Sequence, residues 1–165
     1  MPTPSISPVK SQQAYPRGSE WRQWDFHVHT PASFQWSGRK FGSMSETEKM
    51  AEVDEMIKAM NNAQPAVFVL MDYWTFDGWL ALKKRLAQEN APTLSKLVLP
   101  GIELRLVAPT PYRLNAHVIF ADDVSDQDLL NFKTELKVAL IEQPLSDDCL
   151  RRLARTMRPS PNAGQ

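Results

Sequence analysis

Seven consecutive apolar residues, Pro65-Ala66-Val67-Phe68-Val69-Leu70-Met71, end on Asp72, and this run restricts the fold more than any other stretch. A strand with one wet face alternates apolar and polar side chains. An unbroken run rich in β-branched and aromatic residues instead belongs to a strand covered on both faces, as in a parallel sheet flanked by helices. The strand predicted over 65–71 therefore needs strands beside it and helices across it.

The surrounding sequence supplies both. Ser45 and Glu48 have capping-box spacing, and Val53, Met56, Ile57 and Met60 follow at helical intervals, so a helix is predicted over 45–62. Asp77-Gly78 opens a second helix, with Trp79, Leu82 and Leu86 on one face, running to about Asn90. Extended segments are expected at 24–29, at 97–99 and 101–107 with a break at Pro100-Gly101, and at 115–121, while Pro109 and Pro111 mark a turn. Ser125, with Asp128 three residues on, caps a helix whose apolar positions include Leu129, Leu130, Phe132, Leu136 and Leu140; Ser146 starts a short helix through Leu150 and Leu153.

Alternating strands and helices define an α/β class with mainly parallel strands. With about four or five strands in 165 residues, against about 250 residues for a closed eight-stranded barrel, the expected form is an open sheet, a small barrel or an incomplete one. The expected organisation is one globular domain over 19–157. A flexible Pro-, Ser- and Gln-containing extension over 1–18 precedes it, and a disordered tail over 158–165 follows it. Nineteen basic and nineteen acidic residues cancel, which removes any overall attraction to polyanions. No apolar run approaches the roughly 18 residues of a membrane span, so no membrane partner is expected. The lone cysteine, Cys149, reads as a small helix-face residue and suits a reducing cytoplasm.

The chemistry gathers at strand ends. The chain has three histidines, and two stand in Trp24-Asp25-Phe26-His27-Val28-His29-Thr30-Pro31. Strand side chains repeat every two residues, so Asp25, His27 and His29 share a face; Cα atoms roughly 6.6 Å apart let two imidazoles close on one ion. Asp25 could bind the metal or orient an imidazole. Asp72 follows a buried strand directly, Glu103 interrupts Gly101-Ile102-Glu103-Leu104, and His117 sits in Asn115-Ala116-His117-Val118-Ile119-Phe120. Each has a structural alternative: Asp72 as a turn or helix cap, Glu103 paired with Arg105 or Arg113, His117 as a satisfied core histidine. Taken together, they place every histidine and two carboxylates on different strands of one sheet.

In order and spacing these pieces resemble the PHP (polymerase and histidinol phosphatase) domain. Asp25-Phe26-His27-Val28-His29-Thr30 resembles its first motif. Met71-Asp72-Tyr73-Trp74-Thr75-Phe76-Asp77-Gly78 resembles the second, usually Thr-Asp-His with a Gly downstream, and Gly101-Ile102-Glu103 followed by His117 resembles the third. Gly18-Ser19-Glu20-Trp21-Arg22 and the Asp-Tyr form of the second motif resemble the PHP modules that precede large AAA-like ATPases.

The resemblance implies a distorted (β/α)7 barrel that hydrolyses phosphate esters, of nucleic acid or a nucleotide, with one or two Mn, Zn or Fe ions. His27 and His29 would hold the first ion, Glu103 would bridge, and His117 would hold the second. Asp25 or Asp72 would orient water or accept its proton. Tyr73 replaces the usual histidine and Gln35 lies where another often follows, so a third ion is not expected. The late Asp-x-His pair is absent, which implies an incomplete barrel, a truncated chain and an ATPase region elsewhere. No Gly-x-x-x-x-Gly-Lys-Ser/Thr loop occurs. Two other classes compete: a catalytically degenerate PHP module with a regulatory or partner-binding role, and a nucleic-acid-binding module using Trp36, Arg39, Lys40 and Phe41.

Overall fold

The computed structural model describes residues 21–157; the predicted extension 1–18 and tail 158–165 lie outside the described residues. The described residues form two compact units, 21–105 with Asn115–Val124, and Leu106–Leu114 with 125–157.

The first unit is mixed α/β, built on a curled, mostly parallel four-stranded sheet shaped as a half barrel. Its strands, β1 (Trp24–Val28), β2 (Val67–Tyr73), β3 (Leu97–Leu106) and β4 (Leu114–Ile119), lie side by side in chain order. β1 and β3 both run parallel to β2. Every residue of β2 is buried, as its apolar sequence requires. The strand continues two residues beyond the run, so Asp72 pairs in register with Ile102, and Tyr73 with Glu103.

Helix α1 (Glu46–Asn62) begins at a complete capping box. The Ser45 hydroxyl accepts from the Glu48 N–H, and the Glu48 carboxylate accepts from the Ser45 N–H at 2.8 Å. Its buried stripe is Val53, Ile57 and Met60. α1 packs against α2 (Asp77–Leu86), and α2 against β2. Buried Arg85 ties the two helices: Nε and Nη2 donate to the Asp54 carboxylate at 2.7 and 3.0 Å, while Nη1 reaches Gln88 and Asn90. Those bonds follow the end of α2 at Leu86, four residues before the expected Asn90.

Pro100-Gly101 does not break β3, contrary to expectation. N–H and C=O of one strand residue point to the same side. The Pro100 carbonyl accepts from Phe120 at 2.9 Å, just past the end of β4, so the missing N–H faces that side and the ladder to β2 is spared. Gly101 is required by proximity: an added Cβ would lie 2.7 Å from Val69 Cγ1 and 2.9 Å from Met71 Cε.

The second unit contains α3 (Asp126–Glu135), a hairpin of β5 (Lys137–Val138) and β6 (Gln143–Pro144), and α4 (Asp147–Thr156). Ser125 and Ser146 cap the helices as expected, accepting from the Asp128 and Cys149 amides. Leu136 and Leu140 are not helical. α3 stops at Glu135, and Leu140 lies in the hairpin turn at φ 69°, with 78% of its surface exposed. Buried side chains here are Leu129, Val138, Leu145 and Cys149. Among the described residues, no helix is long and apolar enough to cross a membrane.

Candidate metal centre

The half barrel brings all three histidines to one buried carboxylate. Glu103, 1% exposed, receives His27 Nε2 at 3.0 Å, His29 Nε2 at 3.7 Å and His117 Nε2 at 3.6 Å. His27, Glu103 and His117 each offer one ligand atom within 4.8 Å of the others, a group that could hold a metal ion. His29 flanks it, its Nε2 lying 3.2 Å from that of His27. Imidazole nitrogens on one tetrahedral ion, each about 2.05 Å from it, would stand about 3.3 Å apart. The donor set of imidazole nitrogen and carboxylate oxygen suits Zn, Mn or Fe, so the residues present fit the implied ion.

Local backbone geometry makes this convergence. Between Asp25 and Val28, β1 takes three steps against two on β2, an irregularity that contains His27. Such bulges re-aim a side chain next to a functional site. The His27 ring meets those of His29 and His117 edge-on, at centroid spacings of 4.8 and 4.6 Å. Glu103, opposite Tyr73 in the register, is buried beside β4.

Neighbouring groups prepare the ligands. Burial alone would push the Glu103 pKa up, but the Tyr73 hydroxyl and the adjacent His27 outweigh it and hold the carboxyl below its ordinary value. Burial, then repulsion from His27, lowers the His29 pKa and favours the neutral imidazole that ligates metals. Ser33 Oγ lies 3.4 Å from His29 Nδ1, the kind of outer contact that orients a ligand ring. Asn115 Nδ2 donates to Glu103 Oε1 at 2.7 Å and to the Tyr73 hydroxyl at 2.9 Å.

Tyr73, Asn115 and Ser33 therefore support the cluster although the sequence did not single them out for this role. A signal existed for two of them. Asn115 stands two positions before His117 on the same strand face, and strand pairing sets Tyr73 against Glu103.

The two predicted catalytic carboxylates take other positions. Asp25 Oδ1 accepts the His27 N–H at 3.1 Å. Asp72 lies on the face opposite its neighbour Tyr73: Oδ1 accepts the Thr30 N–H at 2.7 Å and Oδ2 the Thr30 hydroxyl at 2.6 Å. A backbone bond from Gly78, in the first turn of α2, completes this anchor. Asp72 thus joins the ends of β1 and β2 to the N-terminus of α2. Of the residues in the alternative nucleic-acid cluster, Phe41 is buried, Arg39 pairs with Glu48 at 2.8 Å, and Lys40 Nζ donates to the Phe34 carbonyl at 2.7 Å.

Asp72 gives a pH prediction. Burial raises its pKa to about 6 from an ordinary 3.8. The folded state then binds the proton more tightly than the unfolded one. Its contribution to unfolding free energy is greatest below about pH 4, declines as pH rises to about 6, and is flat above. A shift of this size is worth about 3 kcal/mol. Asp72→Asn should abolish that decline, so the wild-type minus variant difference in urea-unfolding free energy should change across this window. A constant difference would refute the assignment.

No protein-family model, curated protein or solved structure matches this chain.

Proposed function

We propose that the protein is a metal-dependent phosphoesterase of the PHP type, its half barrel being part of a PHP-like (β/α)7 scaffold. The observation that carries this reading is the convergence of His27, His29 and His117 on buried Glu103. Resemblance in three ordered motifs supports the family reading, and the donor geometry supports the chemistry.

His27 and His29 would hold one ion, His117 a second, and Glu103 would bridge them. When bound, a divalent ion would offset phosphate charge and acidify water. The chain's own groups do the rest. Glu103 supplies negative charge, kept ionised by Tyr73 and His27, and Asn115 fixes its orientation. Asp25 steadies the His27 backbone. Asp72 positions Thr30, and with it the turn bearing Ser33, whose N–H donates to the Thr30 carbonyl at 2.9 Å.

A second reading, a metal-bearing module without catalysis, is favoured by Tyr73, whose hydroxyl already bonds Glu103 where the family usually places another ligand. The readings separate on one experiment. Metal content and hydrolysis of phosphomonoesters and phosphodiesters are measured on wild type, His27→Ala and Glu103→Ala. Hydrolysis that depends on metal and is lost in both variants supports the enzyme. Metal bound without turnover supports the second reading, and metal-free protein refutes both.

A further inference from the structure

An aromatic wall adjoins the histidines. The Phe34 ring stacks on Trp74 with centroids 5.3 Å apart and planes at 23°, and it leans on Tyr73 at 4.7 Å. Tyr73 in turn stacks on His29 at 5.5 Å and 22°. One tyrosine ring therefore separates the wall from the candidate metal ligands.

The wall is held out to solvent. Phe34 keeps 45% of its surface exposed and Trp74 is half-buried. Two anchors fix it: Lys40 Nζ on the Phe34 carbonyl at 2.7 Å, and the Trp74 N–H on the Glu103 carbonyl at 3.2 Å. Trp74 also adopts φ 60°, a left-handed conformation rare for a bulky side chain and concentrated at ligand sites. The Arg105 guanidinium carbon lies 6.0 Å from the Tyr73 ring centroid, which places a cation beside the wall. A half-exposed Phe34 ring and a half-buried Trp74 ring, next to a cation and the candidate metal centre, complement a nucleobase carried on a phosphate.

We infer that Phe34 and Trp74 form a base-stacking platform, and that the phosphate ester taken at the His27–Glu103–His117 cluster bears a nucleobase. The inference rests on the phosphoesterase reading, which it deepens by naming the substrate class. A sugar phosphate without a base has no flat group to lay against these rings.

The test uses the full chain with Mn²⁺ and isothermal titration calorimetry, comparing a nucleoside monophosphate, ribose 5-phosphate and a short single-stranded oligonucleotide. Stacking on one base is worth roughly 5- to 150-fold in affinity, so the nucleotide should bind tighter than ribose 5-phosphate by at least about 5-fold. Phe34→Ala and Trp74→Gly should erase that preference and leave ribose 5-phosphate binding unchanged. Glycine adopts φ 60° freely, which offsets part of the packing lost with the indole, and Phe34→Leu preserves apolar bulk if Phe34→Ala fails to fold. Tighter oligonucleotide binding assigns the platform to a strand, and equal binding to a free nucleotide. No base preference in wild type, or a preference that survives in Trp74→Gly, overturns the inference. A base preference without turnover upholds the platform while refuting the phosphoesterase, and turnover without a base preference does the reverse.

Discussion

Glu103→Gln is expected to lower divalent-metal affinity by more than about 100-fold, because loss of an outer-shell partner alone costs 10- to 100-fold. Glutamine is the informative choice. It keeps the side-chain volume and an Oε1 that can still accept from Asn115, but removes the charge on which three imidazole nitrogens converge at 3.0, 3.7 and 3.6 Å. Stability should fall modestly, since the lowered pKa of the carboxyl marks a net gain from Tyr73 and His27 that a neutral amide gives up. Hydrolysis, where present, should fall by at least about 100-fold in step with the metal. Equilibrium dialysis against Mn²⁺ and Zn²⁺, with a thermal melt of each sample, gives both quantities. Wild-type affinity in a folded Glu103→Gln protein would remove this cluster as the metal site.

Gly78→Ala should produce the largest loss of stability. An added Cβ would fall against Thr30 Oγ1 and Asp72 Oδ2, well inside contact distance, and 2.7 Å from Thr30 Cγ2. None of these atoms can retreat cheaply: Thr30 is 0% exposed and Asp72 2%, and they hold one another through two short bonds. Overpacking of a buried, hydrogen-bonded site should cost about 3 kcal/mol, which lowers Tm by roughly 10 °C in a chain of this length. Thr30→Ala removes two of the three obstructing atoms, so the double variant should be less destabilised than the sum of the single effects. An unchanged Tm for Gly78→Ala would show that α2 can shift away from the strand ends.

Much of the first unit was legible because local and long-range signals agreed. The run before Asp72 demanded a strand covered on both faces, and Ser45 with Glu48 announced α1. The histidine pair was recognisable as a candidate ligand pair from residue type and strand periodicity, and Glu103 from the motif resemblance. Their convergence was not, because it depends on the irregularity after Asp25 and on strand register, which follow from packing rather than from a pattern along the chain. Pro100 misled because its effect depends on which neighbour its missing N–H faces. Leu136 and Leu140 misled because they continue the helical spacing of α3, while the chain leaves the helix at Glu135 and reverses through residues at positive φ. Asp72 was identified as important, but its partners lie at 30 and 78, and no spacing rule relates those positions.

The two units also carry separate optical and chemical labels. All five tryptophans, Trp21, Trp24, Trp36, Trp74 and Trp79, belong to the first unit, and the single thiol, Cys149, to the second. Cys149 is 2% exposed, with Sγ 3.9 Å from the Gln143 carbonyl, so a thiol reagent can reach it only when that region opens. Indole fluorescence and thiol labelling therefore follow different units of the same polypeptide. Coincident denaturant midpoints would mean one cooperative transition, and labelling that precedes the fluorescence change would mean that the second unit melts while the histidine-bearing sheet persists.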